Sequence, residues 1–198
     1  QGTVPHDSLQ ALHDLGAEIE EALGVSADDV SASEVMLLTQ LIDDSGSIRF
    51  GSNSDEVRNG HNMVLQETAR SSSEDDVLAH TTYLNDGTLF PYVPLRQATQ
   101  LDSRNFNPTG GTPLYDRALI TLGAVLAKEQ EFANQGVPVR TVTLIVTDGA
   151  DTSSRHGPDE VAKLAQSMLT RENHIIAFMG IDDQSTDFRA VARSMGIR

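Results

Sequence analysis

Two patterns of apolar and polar residues alternate along the 198-residue chain. Short apolar runs predict strands, at residues 35–42, 140–146 and 174–179. The first run is nearly continuous, as expected for a central parallel strand that is covered on both faces. Apolar residues spaced three and four apart predict helices with one buried stripe, at residues 54–70, 113–134, 158–171 and 186–195.

Residues 77–93 predict a hairpin between the helices at residues 54–70 and 113–134. Residues 77–84 and 88–93 are strand-like, the sequence Asn85-Asp86-Gly87 between them favours a turn, and Pro91 marks the second strand as an edge strand. We therefore predict an α/β domain over residues 34–198. Its sheet is expected to be doubly wound, mostly parallel and Rossmann-like, with one antiparallel edge strand and helices on both faces.

The first 33 residues form a separate segment in this interpretation. Apolar residues at helical spacing predict an amphipathic helix over residues 7–24, and a linker rich in Ser and Asp follows. The apolar stripe of such a helix either docks on the parent domain or binds a partner. We favour docking, because most amphipathic helices of globular chains cover their own core.

The charge balance narrows the classes of partner. The chain has 29 Asp and Glu against 14 Lys and Arg, a formal net charge of -15. A phosphate backbone would be repelled, so we expect no nucleic acid partner. The excess acid either favours a cation or a basic protein surface, or only keeps the protein soluble. There is no Cys, which excludes disulfides and thiolate metal sites, and no apolar run approaches the roughly 20 residues needed to span a bilayer.

Three polar clusters fall where the predicted sheet would bring them to one edge. The first is Asp-Asp-Ser-Gly-Ser at residues 43–47, directly after the first strand, and the second is Gly-Gly-Thr-Pro-Leu-Tyr-Asp at residues 110–116, where a glycine-rich loop enters the long helix. The third is Thr-Asp-Gly at residues 147–149, directly after the strand at 140–146. Ligands of open α/β sheets bind at the carboxyl ends of the strands. We therefore expect the three loops to meet in one site.

The oxygen atoms of these clusters suggest a metal site. Asp43, Ser45 and Ser47 lie two residues apart, so a turn after the strand could direct all three side chains toward one centre, to which Thr112 and Asp148 would add oxygens. Two carboxylates and three hydroxyls suit Mg²⁺ or Mn²⁺, with Ca²⁺ ranked below them, and give no reason to expect Zn²⁺ or Cu²⁺. A metal ion that is bound by only two charged protein ligands stays electrophilic. We expect one more anionic ligand, a carboxylate from another molecule.

These motifs, in this order, resemble the metal-ion-dependent adhesion site of von Willebrand factor type A domains. The resemblance runs from about residue 35 to the C terminus and implies that Asp43, Ser45, Ser47 and Thr112 contact the metal directly or through water, with Asp148 acting through water. It implies a domain that binds protein ligands, commonly through an acidic residue of the ligand.

Details of the sequence refine this resemblance. The segment at residues 110–116 resembles the bacterial branch of the family more than animal adhesion receptors. The N-terminal helix is an addition to the family pattern. The family continues into a last strand and a closing helix where this chain stops at Arg198, so three alternatives stay open: the sheet is truncated, it is disordered at its end, or residues outside this sequence complete it.

A metal-dependent phosphoryl-transfer or hydrolytic enzyme is the alternative. A haloacid-dehalogenase-type phosphatase would need a second acid at the place of Ser45, and the sequence has neither a P-loop nor a Gly-x-Ser-x-Gly elbow. A Ser-His-Asp site that combines Ser47 with His61 or His156 stays open at this point. So does a structural module with a vestigial site. We favour a binding domain without catalytic residues.

Other acids near the clusters have simpler interpretations. Asp44 is interpreted as a solvated residue or as a support for the ligands, Asp116 as a residue that stabilises the N-terminal turn of its helix, and Asp151 as a surface residue. Asp182 and Asp183, which follow the last strand, are candidates for charge at the rim of the site.

Overall fold

A five-stranded sheet forms the centre of the molecule. The computed structural model describes residues 15–50, 52–72, 76–181 and 185–197. The strands run in chain order β1 (Val35–Ile42), β2 (Val77–Tyr83), β3 (Thr88–Pro94), β4 (Val139–Thr147) and β5 (His174–Gly180). Their order in the sheet is β3-β2-β1-β4-β5. Among the described strand pairs, β2–β3 is antiparallel and the other three are parallel, which confirms the predicted mostly parallel α/β sheet with one antiparallel edge strand.

Five helices accompany the strands in the described part of the chain. They are α1 (Gly16–Ala22), α2 (Asn53–Ser71), α3 (Leu114–Asn134), α4 (Pro158–Leu169) and α5 (Phe188–Ser194). Helices α2 to α5 begin and end within two residues of the predicted bounds. The start of the helix predicted over residues 7–24 lies outside the described residues. None of the described helices is long and apolar enough to cross a membrane.

Strand β1 is buried on both faces, and its side chains alternate between two cores. Leu41 packs with Leu122 of α3 and Leu164 of α4 on one face. On the other face Leu38 belongs to the cluster that contains Leu65 of α2. This double coverage is the physical reason for the almost continuous apolar run in β1.

The edge strand β5 is covered on one face more than on the other. Ile176 is buried with α3 and α4, whereas Ile175 is 58% and Met179 53% exposed. Successive side chains of a strand point to opposite faces, so the exposed pair lies on the face away from α3 and α4.

The N-terminal segment docks on the domain in its described part, as favoured above. Ile19 and Ala22 of α1 pack against Ile120 and Ala124 of α3. The linker that follows is fixed by Lys128, whose buried ammonium group donates to the carbonyl oxygen of Val25 and, at 2.8 Å, to Glu131 Oε2. These contacts hold the linker against α3.

Candidate metal centre

The candidate site lies at the carboxyl ends of two neighbouring parallel strands. Asp43 directly follows β1 and Asp148 directly follows β4, and the last pair in their register is Ile42 with Val146. The amide of Asp43 continues the ladder by donating to the carbonyl oxygen of Val146 at 2.9 Å. Parallel pairing therefore brings together two acids that are 105 residues apart, as the sequence predicted.

The carboxylate of Asp43 is completely buried and accepts three hydrogen bonds. The donors are the Ser45 amide at 2.7 Å, the Thr147 hydroxyl at 2.5 Å and the Asp148 amide at 3.3 Å. The first of these bonds closes an Asx turn, which turns the chain sharply as it leaves the strand. Hydrogen bonds to an ionised acceptor are stronger than neutral ones, so this side chain is held in a fixed orientation.

Ser47 connects the first loop to the third. Its hydroxyl donates to Asp148 Oδ1 at 2.8 Å and lies 3.0 Å from Ser45 Oγ. Ser45 and Asp148 are buried, whereas Ser47 is exposed. The structure thus brings four of the five predicted residues into one hydrogen-bonded group, and Ser47 lies on its solvent side.

Thr112, the fifth predicted residue, is buried in the second loop, and hydrogen bonds join this loop to the other two. The Gly46 amide donates to the carbonyl oxygen of Gly110 at 3.1 Å, which joins the first loop to the second. The Thr112 amide donates to Thr152 Oγ1 at 2.9 Å, and the Thr152 amide returns a bond to the Thr112 carbonyl oxygen at 3.0 Å. The loop after β4 is therefore bonded to Thr112 through Thr152.

Asp44 is a support and not a solvated residue, since it is 1% exposed. Its carboxylate accepts the amide of Asn85 at 2.8 Å, Asn85 Nδ2 at 3.0 Å and the amide of Asp86 at 3.0 Å. Burial raises the pKa of Asp44, and these hydrogen bonds offset part of that effect. The sequence indicated a turn at residues 85–87 but gave no sign that this turn contacts the site.

The loop after β4 also stabilises the start of α3. The amides of Tyr115 and Asp116 both donate to Ser154 Oγ at 3.0 Å, and that hydroxyl donates to Asp151 Oδ1 at 2.5 Å. Asp151 is therefore more than a surface residue. Asp182 and Asp183, the predicted rim charges, lie outside the described residues.

Asp116 fixes the far end of the same loop. Its carboxylate accepts the amides of Arg155 and His156 and lies 2.8 Å from His156 Nδ1. Partial burial acts to raise the pKa of Asp116, but these hydrogen bonds and the charge of His156 together hold it below its ordinary value.

The two histidines considered for a Ser-His-Asp site have other partners. His61 Nε2 lies 3.0 Å from Thr81 Oγ1, inside the domain, and His156 bonds to Asp116. Among the described residues, the hydrogen-bond partners of Ser47 Oγ are Ser45 and Asp148. Neither histidine is therefore paired with the Ser47 hydroxyl, as an activated Ser-His pair would require.

The donor set consists mainly of hydroxyls. Within the described residues, no group of three or more histidine, aspartate or glutamate side chains converges in a way that could hold a metal. The predicted set has two carboxylates, Asp43 and Asp148, and three hydroxyls. A metal at this place would therefore depend on serine and threonine oxygens for more than half of its protein ligands.

Comparison with known proteins gives structural matches only. No family model and no curated protein matches the sequence. The structure is similar to the pilus adhesin SpaC from Lactobacillus rhamnosus GG in an open conformation, with a TM-score of 0.51 and 13% identity, over 83% of this chain and 26% of the adhesin. It is also similar to manganese-loaded TRAP protein from Plasmodium vivax, with a TM-score of 0.48 and 20% identity, over 85% of this chain and 65% of TRAP.

A third match is proximal thread matrix protein 1 from the mussel byssus, with a TM-score of 0.46 and 17% identity, over 78% of this chain and 39% of that protein. This chain spans less than two thirds of the length of each of the three structures. At 13% identity the similarity to the pilus adhesin concerns the fold alone.

Proposed function

We propose that this chain, which has a von Willebrand factor A-like fold, binds Mg²⁺ or Mn²⁺ and uses the ion to recognise an acidic residue of a protein partner. The protein ligands would be Asp43, Ser45, Ser47, Thr112 and Asp148. The observation that carries the proposal is the position of Ser47 Oγ, 2.8 Å from Asp148 Oδ1 and 3.0 Å from Ser45 Oγ. Oxygens from two loops already lie side by side.

The chemistry of the donors supports a small, hard cation. All five side chains offer oxygen, which Mg²⁺ and Mn²⁺ prefer, and both ions retain water when protein ligands are few. Asp43 and Asp148 together carry two negative charges, enough to neutralise the ion without saturating it. An open coordination position is then available to an oxygen from another molecule.

The accessibility of the site supports a ligand that arrives from solvent. Asp43, Asp148 and Thr112 are buried, and Ser47 is exposed, so a partner would approach on the Ser47 side. A carboxylate that approached this chain of net charge -15 without a metal would be repelled. The bound cation would reverse the local sign, and partner binding would depend on it.

We assign the site a binding role and not a catalytic one. The carboxylate that accepts the Ser47 hydroxyl is Asp148, which the proposal assigns to the metal, and no histidine of the described residues is a hydrogen-bond partner of this hydroxyl. A general base must lie within hydrogen-bond reach of the group that it activates. Turnover of phosphate or peptide reporter substrates by the purified protein would contradict this assignment.

Calorimetric titration of the metal-stripped protein with Mg²⁺, Mn²⁺ and Ca²⁺ tests the proposal. Replacement of Asp43 by Ala would remove the acceptor of three hydrogen bonds and could unfold the loop. Asp43→Asn, which keeps the shape of the side chain, and Ser47→Ala, which removes an exposed hydroxyl, are the better variants. Asp29→Ala is the matched control, since Asp29 is exposed on the linker.

We expect saturable binding of Mn²⁺ and Mg²⁺ to the wild type and to Asp29→Ala, and binding weakened roughly ten-fold or more in the two site variants. A titration repeated with acetate as a surrogate for the partner's carboxylate should strengthen binding to the wild type. A wild type that binds none of the three metals, with or without acetate, would refute the proposal.

A further inference from the structure

The side chain of Asn85 connects two loops of the candidate site. Asn85 lies in the turn between β2 and β3, and its Nδ2 atom donates to Asp44 Oδ1 and to the carbonyl oxygen of Gly111, each at 3.0 Å. Asp44 follows Asp43 in the first loop, and Gly111 precedes Thr112 in the second. A single amide group therefore ties the neighbour of one predicted ligand to the neighbour of another.

The fit of this amide is tight. Nδ2 carries two hydrogens and has two acceptors, so its hydrogen-bonding capacity is fully used. Its Oδ1 atom lies against Gly110, where a Cβ atom would come within 2.8 Å of it. Gly110 also has a φ of 82°, in the left-handed region that favours glycine. The second loop is thus shaped to receive Asn85.

The same residue is attached to the first loop by its backbone. The amides of Asn85 and Asp86 donate to the two oxygens of Asp44 at 2.8 and 3.0 Å. These backbone bonds fix the hairpin turn on Asp44 whatever side chain residue 85 carries. The side chain of Asn85 adds the connection from this fixed turn to Gly111.

We propose that Asn85 is a positioning residue that, together with the backbone bonds that join the two loops, sets the distance between the Asp43–Ser47 loop and Thr112, and thereby the metal affinity of the site. This inference rests on the proposed function. Metal ligands need supporting hydrogen bonds to keep their geometry, and loss of such a support typically lowers metal affinity 10- to 100-fold. Asn85 is not a ligand itself, because both hydrogens of its Nδ2 atom already have acceptors and its Oδ1 atom lies against Gly110.

The variant Asn85→Ala separates positioning from folding. It keeps the backbone bonds from residues 85 and 86 to Asp44 and removes the two side-chain bonds, to Asp44 and to the second loop. Asn107→Ala is the matched control. Asn107 is exposed in the chain segment that leads into that loop, and its amide makes a long bond of 3.4 Å to the carbonyl oxygen of Arg104.

Two measurements on the full chain test the proposal. The first is calorimetric titration with Mn²⁺ beside thermal unfolding of the metal-free proteins. We expect Asn85→Ala to bind Mn²⁺ roughly ten-fold or more weakly than the wild type, with a metal-free unfolding temperature close to that of Asn107→Ala. The second is amide exchange by NMR without metal, in which the Gly46 amide, bonded to Gly110, should exchange faster in Asn85→Ala, while the Asp43 amide does not change.

The outcomes distinguish this inference from the proposed function. If the wild type binds Mn²⁺ and Asn85→Ala binds it equally well, the positioning role is wrong and the metal site stands. If the affinity falls only in parallel with metal-free stability, or if exchange at Gly46 is unchanged, Asn85 is not what spaces the loops, and the inference is overturned. If the wild type binds no metal, the inference fails together with the proposed function.

Discussion

His80 should make the stability of the protein depend on pH. It lies in β2, is 1% exposed, and packs against Tyr92 with ring centroids 5.1 Å apart. Its Nδ1 atom lies 2.8 Å from the carbonyl oxygen of Phe90, which suits a donor on the neutral ring. Burial lowers the pKa of His80 to about 4, and the hydrogen bond to Phe90 offsets only part of this effect. The perturbation that tests the consequence is His80→Gln.

The direction of the effect follows from which state binds the proton. Between the ordinary histidine value of 6.5 and the lowered pKa of about 4, the unfolded chain takes up a proton at His80 and the folded chain does not. The stability contributed by this residue is therefore complete above the ordinary value and is lost as the pH falls. With about 1.36 kcal/mol for each pKa unit, a change from pH 7 to about pH 4.5 should lower the free energy of unfolding by about 2 to 3 kcal/mol.

Urea unfolding at a series of pH values, with a chelator present, measures this loss. The wild type should lose more stability on acidification than His80→Gln. The difference between the two slopes of unfolding free energy against pH gives the contribution of His80. Burial also lowers the pKa of His61, but that group is present in both proteins, so its contribution cancels. Parallel pH profiles of the two proteins would refute the reasoning, whatever their difference in stability at pH 7.

Three further changes should have measurable effects. Thr152→Val removes the hydroxyl that accepts the hydrogen bond of the Thr112 amide at 2.9 Å. Calorimetry should then show Mn²⁺ binding weakened roughly ten-fold. An affinity equal to that of the wild type would exclude a supporting role for Thr152. Gly24 has a φ of 60°, and a Cβ atom added there would lie 2.0 Å from the Tyr92 carbonyl oxygen. Gly24→Ala should therefore lower the free energy of unfolding, measured in urea, by at least about 2 kcal/mol. Unchanged stability would show that the linker can move aside. Lys128→Met removes a buried ammonium group that donates to the Val25 carbonyl oxygen and to Glu131, so the same assay should show a loss of about 1 to 3 kcal/mol. Unchanged stability would mean that apolar packing replaces these bonds.

The strands and the long helices could be predicted because burial imposes a period on the sequence. The bounds of β1 were predicted to the residue and those of α3 to within one residue, since each has a continuous buried face or stripe. The approach of Asp43 to Asp148 could also be predicted. Each acid directly follows a strand, and the carboxyl ends of parallel strands meet at one edge of the sheet.

The supports of the site could not be predicted from the sequence. Residues 85–87 have the composition of a hairpin turn in any context, and their contact with Asp44 depends on β2 lying beside β1. The bond between Thr112 and Thr152 joins residues 40 positions apart. Hydrogen bonds between distant loops impose no periodic pattern on the sequence, so they can be identified only when the fold is known.

The charge distribution supports the proposal that recognition at this site requires a metal. Asp43, Asp44 and Asp148 are each 2% exposed or less, and they lie in two loops that are directly joined. The donors to Asp43 and Asp44 are backbone amides, one asparagine amide and one threonine hydroxyl, which orient the carboxylates without neutralising them. A cation bound between the loops would supply the missing charge, and a partner's carboxylate could then approach a chain whose net charge is -15. Without the cation, the same carboxylate would meet buried negative charge at close range, where screening by salt is weak. Removal of the metal should therefore abolish association instead of merely weakening it.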